Sequence, residues 1–134
     1  MEIKKLKVFN FRNLQEQEIE FSAGVNLIIG NNAQGKTSII EAIDLLSRGK
    51  SFRTSNLKEI IAHDNNSLSV FATVNNIQDF ELGLSIDNNH KTAYYNGNKL
   101  PSFSSLYGRL PSITFNPDDI LIIKGGPDLR RNLI

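Results

Sequence analysis

The chain has 134 residues, of which 40% are hydrophobic and 22% are charged, and its formal net charge is +1. This composition is ordinary for a globular domain. The small net charge excludes nucleic-acid binding through overall basicity, so such binding would need a local patch. The absence of cysteine excludes disulfides and thiolate metal sites, and it fits a reducing cytoplasm. The apolar runs are much shorter than the ~20 residues that a membrane-spanning helix needs.

Three strands are predicted in the first third of the chain. They comprise Ile3 to Phe9, Gln17 to Phe21 and Val25 to Ile29. A helix follows, because apolar residues recur at helical spacing between Ile39 and Leu46, and Gly49 is a suitable residue to end it. Asn56 resembles the N-cap of a capping box, which predicts a short second helix through Ile61.

The second half changes to the periodicity of strands. Apolar residues alternate over residues 68–74 and 80–86, and Asn96-Gly97 is typical of a tight hairpin turn. We therefore expect an antiparallel sheet over residues 68–99. A further strand is predicted at Ser112 to Phe115, with helices beginning at Asn116-Pro117 and Asp128. The last helix would stop in the middle of its apolar pattern, so we expect the chain to be a fragment.

The stretch Gly30-x-x-x-x-Gly35-Lys36-Thr37 is the phosphate-loop pattern, and it lies between a predicted strand and a predicted helix. Its two glycines allow a tight curl, and the backbone amides from Asn32 to Ser38 can point at phosphate oxygens. Lys36 would bridge the β- and γ-phosphates, and the Thr37 hydroxyl would ligate Mg²⁺. The predicted residues for binding ATP with Mg²⁺ are Gly30, Asn31, Asn32, Ala33, Gln34, Gly35, Lys36, Thr37 and Ser38.

The hydrolytic half of an ATPase site is not found in the sequence. Such a site needs a second apolar strand ending in an acid that holds Mg²⁺, and an acid for the attacking water. The one acidic pair after an apolar run is Asp118-Asp119, but Pro117 precedes it and the pair suits a helix N-terminus. No Ser-Gly-Gly signature occurs either. We therefore predict no catalytic residue in this chain.

Several segments resemble the ATPase heads of the Rad50 and SMC group. They are the opening strand followed by Asn10-Phe11-Arg12-Asn13, the second strand and the phosphate loop. Within that group the chain is most similar to the RecF family of bacterial recombination and repair proteins, through the segments GKTSIIEAI, RGKSFR and FNPDDILIIKGGPDLRRNLI. The resemblance covers essentially the whole chain.

This resemblance implies an α/β fold, a P-loop NTPase of the ABC-ATPase-head type. Residues 1–134 would form its N-terminal lobe, with a strand–P-loop–helix core plus an antiparallel sheet, and the Walker B and signature motifs would lie beyond Ile134. By position, Arg12 and Asn13 would border the nucleotide, and Arg53 would lie near the nucleotide or DNA. Ala33 departs from the glycine common in related heads, and no glutamine that senses the γ-phosphate is assigned.

The resemblance also implies partners. They are DNA at gaps and at junctions of single and double strands, RecO and RecR, and a second copy of the full-length protein that dimerises with ATP. The full-length protein would hydrolyse ATP slowly and reside in the bacterial cytoplasm.

Alternatives stay open for function and for several side chains. The chain could belong to another SMC or Rad50-type head, a P-loop small-molecule kinase, or a binding module that responds to a nucleotide without hydrolysing it. The lysines at 4, 5 and 7 and the arginines at 130 and 131 could meet DNA phosphates or simply be solvated. Tyr94 and Tyr95 could stack on bases, although hairpin packing is the expected use. Both histidines, His63 and His90, are interpreted as structural.

Overall fold

An antiparallel sheet dominates the structure, a computed structural model that describes residues 1–87 and 90–115. Within these ranges the sheet has six strands in the spatial order β2-β1-β3-β4-β5-β6. The strands are β1 (Glu2–Phe11), β2 (Leu14–Glu20), β3 (Ser67–Asn75), β4 (Phe80–Asp87), β5 (Lys91–Tyr95) and β6 (Asn98–Lys99). The helix α1 spans Lys36–Arg48, and short 3₁₀ segments span Leu57–Ile60 and Phe103–Leu106.

One face of the sheet forms the core with α1. Alternate residues of β3 and β4 are buried on this face, and facing pairs such as Val70 and Leu84 are in register. Leu45 and Leu46 of α1 are fully buried in the same cluster. The predicted antiparallel sheet over residues 68–99 is confirmed, because alternation with period two places every second side chain on the buried face.

The hairpin signal is also confirmed. Asn96 and Gly97 connect β5 to β6 with φ values of 48° and 76°, and two consecutive positive φ values are what a two-residue hairpin turn requires. Tyr94 lies 6.3 Å from Phe71 between ring centroids, and Tyr95 stacks on Phe80 at 5.6 Å. Both tyrosines therefore pack within the sheet, as expected.

The outer face of the first two strands carries paired charges. Lys5 contacts Glu18 at 2.7 Å and Lys7 contacts Glu18 at 2.9 Å, while Lys4 contacts Asp79 at 2.6 Å. Hydrogen bonds from Lys5 and Lys7 lower the pKa of Glu18 to about 2. These lysines are neutralised by their own chain, which favours the interpretation that they form a solvated face.

The helix boundaries follow the sequence signals. Gly49 caps α1 in a left-handed conformation, with φ 63°, and its amide donates to Leu45 O at 2.8 Å. The predicted stop at this glycine is confirmed. Asn56 caps the 3₁₀ segment Leu57–Ile60, since its side-chain oxygen accepts a hydrogen bond from Lys58 N at 3.2 Å.

Two predicted strands are wrong for the described residues. Residues 25–29 and 112–115 belong to neither a helix nor a strand, and Val25 is 96% exposed and Ile113 99% exposed. A strand needs a neighbouring strand to exchange backbone hydrogen bonds with, and no described strand pairs with either stretch. The helices predicted from Asn116-Pro117 and Asp128, and the pair Asp118-Asp119, lie outside the described residues.

No helix in the described ranges is long and apolar enough to cross a membrane.

Candidate functional site

The phosphate loop curls through two residues with positive φ. Ala33 has φ 63° and Gly35 has φ 92°, a left-handed conformation that glycine adopts freely and alanine only at a cost. Gly35 also allows a close approach, because a Cβ built on it would lie 2.5 Å from Leu14 Cδ2. The glycine therefore permits both the curl of the loop and the packing of the start of α1 against the first residue of β2.

Two side chains of the loop bind the loop's own backbone. Lys36 Nζ donates to the carbonyl oxygens of Gly30 and Asn31, each at 2.6 Å. The side-chain oxygen of Gln34 accepts a hydrogen bond from Asn31 N at 2.8 Å. An ammonium group gains more from an anionic partner than from a neutral carbonyl, so Lys36 can exchange these contacts for phosphate oxygens.

The first turn of α1 offers backbone amides at the same place. The first helical hydrogen bond runs from Ile39 N to Gly35 O at 3.0 Å. Within the described residues, the amides of Lys36, Thr37 and Ser38 have no acceptor, as the geometry of a helix start dictates. These amides and the positive end of the helix dipole make this turn suited to an anion.

Asn13 fastens the loop to the sheet. Its side-chain nitrogen donates to Ala33 O at 2.7 Å, and its side-chain oxygen accepts from Ser38 Oγ at 3.0 Å. Ser38 is 4% exposed, so its hydroxyl is used for this structural contact. Asn13 thus holds both the loop and the start of α1 in place.

A cavity of about 680 Å³ lies beside the loop, a size that suits a ligand as large as a nucleotide. The predicted site residues that line it are Arg12, Asn13, Asn32, Ala33, Gly35, Lys36, Thr37, Ser38 and Arg53. Gly30, Asn31 and Gln34 do not line it and instead bind Lys36 or one another behind the loop. Three residues that sequence reasoning missed for this site complete the lining: Glu59, Ile61 and His63.

Glu41 is a further residue of the site that sequence reasoning missed. Its side chain has an exposed fraction of 0%, and its two oxygens accept hydrogen bonds from Arg12 Nη2 at 2.7 Å and Arg12 Nε at 3.1 Å. Arg53 Nη1 lies 3.2 Å from Glu41 Oε2, and the Ser51 hydroxyl donates to Oε1. One buried carboxylate therefore positions two of the cavity's arginines.

The charges around Glu41 keep it ionised. Burial by itself raises the pKa of this carboxyl group, but hydrogen bonds from Arg12 and Ser51 and the positive charges of Arg12 and Arg53 outweigh burial, so the pKa is lowered. A signal for this residue does exist in the sequence. Glu41 lies within residues 39–46, of which six of eight are apolar, and a charge in such a run needs a partner when it is buried.

The residues present fit a magnesium ion held mainly through a nucleotide. Thr37 is exposed and lines the cavity, and its hydroxyl has no partner among the described residues. Those residues contain no cluster of three His, Asp or Glu side chains able to hold a metal by themselves. Mg²⁺ in phosphate sites is ordinarily bound by one or two protein oxygens and the phosphates. A hydroxyl that faces the cavity matches that mode.

The fold and the loop define a phosphate-loop ATPase domain. The family model described as AAA ATPase domain matches residues 1–116, and the chain belongs to that family. More particularly, the chain is similar to DNA replication and repair protein RecF from Thermoanaerobacter sp. (strain X514), with 44% identity over 137 residues, 100% of this chain and 38% of that protein. The chain thus spans little more than a third of the length of this curated relative.

Solved structures agree with this assignment. A structure of the recombination mediator protein RecF with ATP has a TM-score of 0.86 and 42% identity, covering 98% of this chain and 37% of that one. A structure from a study of ATP-driven dimerisation and DNA-stimulated activation of SMC ATPases has a TM-score of 0.79 at 20% identity, covering 99% of this chain and 97% of that one. The expected fold, an N-terminal lobe of an ABC-type ATPase head with an antiparallel sheet, is confirmed.

Proposed function

We propose that this chain binds Mg-ATP at the phosphate loop and is the N-terminal lobe, residues 1–134, of a RecF-type ATPase head in a longer protein. The observation that carries the proposal is the convergence of Lys36, Arg12, Arg53 and the free amides at the start of α1 on one cavity. A triphosphate carries several negative charges, and cations with backbone amides are the donors that bind it most strongly.

Each donor has a place in this arrangement. Lys36 would exchange its contacts with the carbonyls of Gly30 and Asn31 for the β- and γ-phosphates, and the amides from Asn32 to Ser38 would donate to phosphate oxygens. Thr37 would be the protein ligand of Mg²⁺, which would supply charge neutralisation for the phosphates. Arg12 is fixed by Glu41 at the border of the site, whereas Arg53 is held less tightly, by a single contact at 3.2 Å.

The proposal extends to DNA repair. The similarity to RecF and to an SMC head supports a protein of the bacterial cytoplasm that dimerises with ATP and binds DNA at gaps and junctions, where it helps to load a recombinase. RecO and RecR are the partners that the resemblance implies. Hydrolysis of ATP is slow in the complete protein, and residues 1–134 supply no catalytic acid for it. A small-molecule kinase is disfavoured because the described residues between 67 and 99 form four sheet strands with their turns rather than an arginine-rich lid.

Isothermal titration with Mg-ATP tests the proposal, using the protein expressed from its complete gene. Lys36→Met removes a charged hydrogen-bond donor and is expected to weaken binding roughly 10- to 100-fold. Lys58→Met is the matched control, because Lys58 is exposed, does not line this cavity and is not part of the phosphate loop. It is expected to leave the affinity for Mg-ATP unchanged. Equal affinity of the wild type and Lys36→Met would contradict ATP binding at this loop.

A further inference from the structure

A second cavity, of about 650 Å³, is bordered by the segment 49–55. We name it the aromatic–basic cavity, and its lining consists of Gly49, Lys50, Ser51, Phe52, Arg53, Thr54, Ser55, Leu57, Lys91, Phe103 and Tyr107. Arg53 lines both this cavity and the phosphate-loop cavity. The volume of the aromatic–basic cavity lies within the range of small-ligand sites.

The lining of this cavity carries positive charge. It includes Lys50, Lys91 and Arg53, and no acidic residue of the described ranges is among its lining residues. Arg53 is paired with Glu41 at 3.2 Å, whereas no carboxylate of the described residues forms an ion pair with Lys91. Lys50 has no ion-pair partner there either. The lysines of β1 make a useful contrast, because each of them is paired with a carboxylate of the same chain. Cations left without a carboxylate partner attract an anion, and phosphate is the anion that Arg and Lys most commonly bind.

Aromatic rings form one wall of the cavity. Phe103 and Tyr107 both approach the end of α1, and a Cβ built on Gly49 would lie 3.0 Å from a Phe103 ring carbon and 3.1 Å from a Tyr107 ring carbon. Lys91 Nζ lies 5.9 Å from the centroid of the Phe103 ring, a distance at which cation and ring attract each other. Tyr107 is 47% exposed, so part of its ring remains available to a ligand.

The segment between the two cavities is held in one conformation by hydrogen bonds. Ser51 Oγ accepts from Arg53 N at 3.0 Å and from Thr54 N at 3.2 Å, and it donates to the buried Glu41. Thr54 Oγ1 donates to Glu59 at 2.7 Å. This wall therefore needs little ordering when a ligand arrives, which lowers the entropic cost of binding.

We propose that the aromatic–basic cavity binds one nucleotide unit of a single-stranded nucleic acid. The base lies against Tyr107, and the adjoining phosphate contacts Lys50 and Lys91. The combination of exposed ring and unpaired cations is the chemistry by which proteins bind single strands without reading their sequence. This inference rests on the proposed DNA binding and specifies where one nucleotide of the strand is held.

Fluorescence anisotropy tests the site, using the protein from its complete gene with saturating Mg-ATP. The probes are oligothymidylate of about twelve nucleotides, an abasic strand of equal length and free thymidine monophosphate. Tyr107→Leu is expected to lower the affinity for the thymidylate strand roughly 5- to 100-fold without changing the affinity for the abasic strand. Tyr107→Phe keeps the ring and is expected to retain wild-type affinity.

Substitution of a charged side chain tests the site independently. Lys50→Gln is expected to lower the affinity for both strands. It should also reduce the slope of log affinity against log salt concentration by about 0.7, the value for one phosphate contact on a single strand. Lys58→Gln removes an exposed charge outside the cavity and serves as the control. It is expected to change the affinity for neither strand.

The outcomes distinguish failure of this binding site from failure of the proposed DNA-binding function on which it rests. If the wild type binds the thymidylate strand but Tyr107→Leu binds it equally well, this site is overturned while DNA binding stands. If the wild type binds no strand, both are overturned. Binding of thymidine monophosphate that depends on Tyr107, with strand binding that does not, would reassign the cavity to a free nucleotide and overturn the strand site.

Discussion

Arg12 and Glu41 form a two-point ion pair, with Arg12 Nη2 2.7 Å from Glu41 Oε1 and Arg12 Nε 3.1 Å from Oε2. The pair joins the turn after β1 to the middle of α1, directly behind the phosphate loop. The carboxylate has an exposed fraction of 0% and the arginine side chain one of 19%. Replacement of either partner would leave the other with an uncompensated charge in a poorly solvated place.

The first prediction is that Glu41→Gln lowers the free energy of unfolding by about 3 kcal/mol. Loss of one partner of a buried pair typically costs ~3–5 kcal/mol, and the lower end applies because Arg12 keeps some contact with water and a hydrogen bond to Glu59 O. Urea unfolding at neutral pH measures the change. Glu16→Gln is the control, since Glu16 is exposed, and its effect is expected within about 0.5 kcal/mol of zero.

The second prediction concerns pH. The pKa of Glu41 in the folded protein is lowered from the ordinary value of 4.5. The contribution of this carboxylate to stability is therefore complete above about pH 4.5 and is lost as the pH falls through the folded-state pKa. Urea unfolding of the wild type and Glu41→Gln as a function of pH should show the difference between them narrowing on the acid side. A difference that stays constant down to strongly acid pH would refute this explanation.

The third prediction is that Gly35→Ala destabilises the protein by about 2–5 kcal/mol. A left-handed conformation costs an alanine ~1–2 kcal/mol, and overpacking against Leu14 adds ~1–3 kcal/mol. In a double-mutant cycle with Leu14→Ala, only the overpacking part should be relieved, so the two changes should not be additive. Strict additivity in urea unfolding would mean that contact with Leu14 plays no role at this position.

The fourth prediction is that Ala33→Gly stabilises the protein by about 0.5–1 kcal/mol. Ala33 has φ 63°, and glycine relieves the strain of that conformation at some cost in chain entropy. Ala42→Gly is the matched control with the opposite sign, because Ala42 is buried inside α1, where glycine costs ~1 kcal/mol through propensity alone. Thermal unfolding of both variants distinguishes loop strain from a general effect of glycine.

The parts of the fold that are determined by residues close together in the sequence were predictable. The phosphate loop, the end of α1 at Gly49, the cap at Asn56 and the Asn96-Gly97 turn are local features whose signals lie within a few residues. The alternation in β3 and β4 was equally readable, because a two-residue period assigns each side chain to a face. These features explain why most residues of the predicted site do line one cavity.

Features that join distant parts of the chain were not predictable. Whether residues 25–29 form a strand depends on a neighbouring segment, which the alternation of Val25, Leu27 and Ile29 does not reveal. The Glu41 network joins residues 12, 41, 51 and 53, which come from a turn, a helix and a loop. A charged residue within a mainly apolar run indicates that a partner is needed when the run is buried, but the sequence does not identify the partner.

Arg53 lies at the boundary of the phosphate-loop cavity and the aromatic–basic cavity, and it has one guanidinium group. In the structure this guanidinium is held by Glu41 at 3.2 Å, while the proposed strand phosphate contacts Lys50 and Lys91. The two proposed ligands therefore meet at one side chain without sharing their phosphate contacts, and a shift of Arg53 towards the ATP phosphates would reshape the wall of the aromatic–basic cavity. By thermodynamic linkage, whatever factor the nucleotide applies to strand binding through this residue, the strand applies to nucleotide binding.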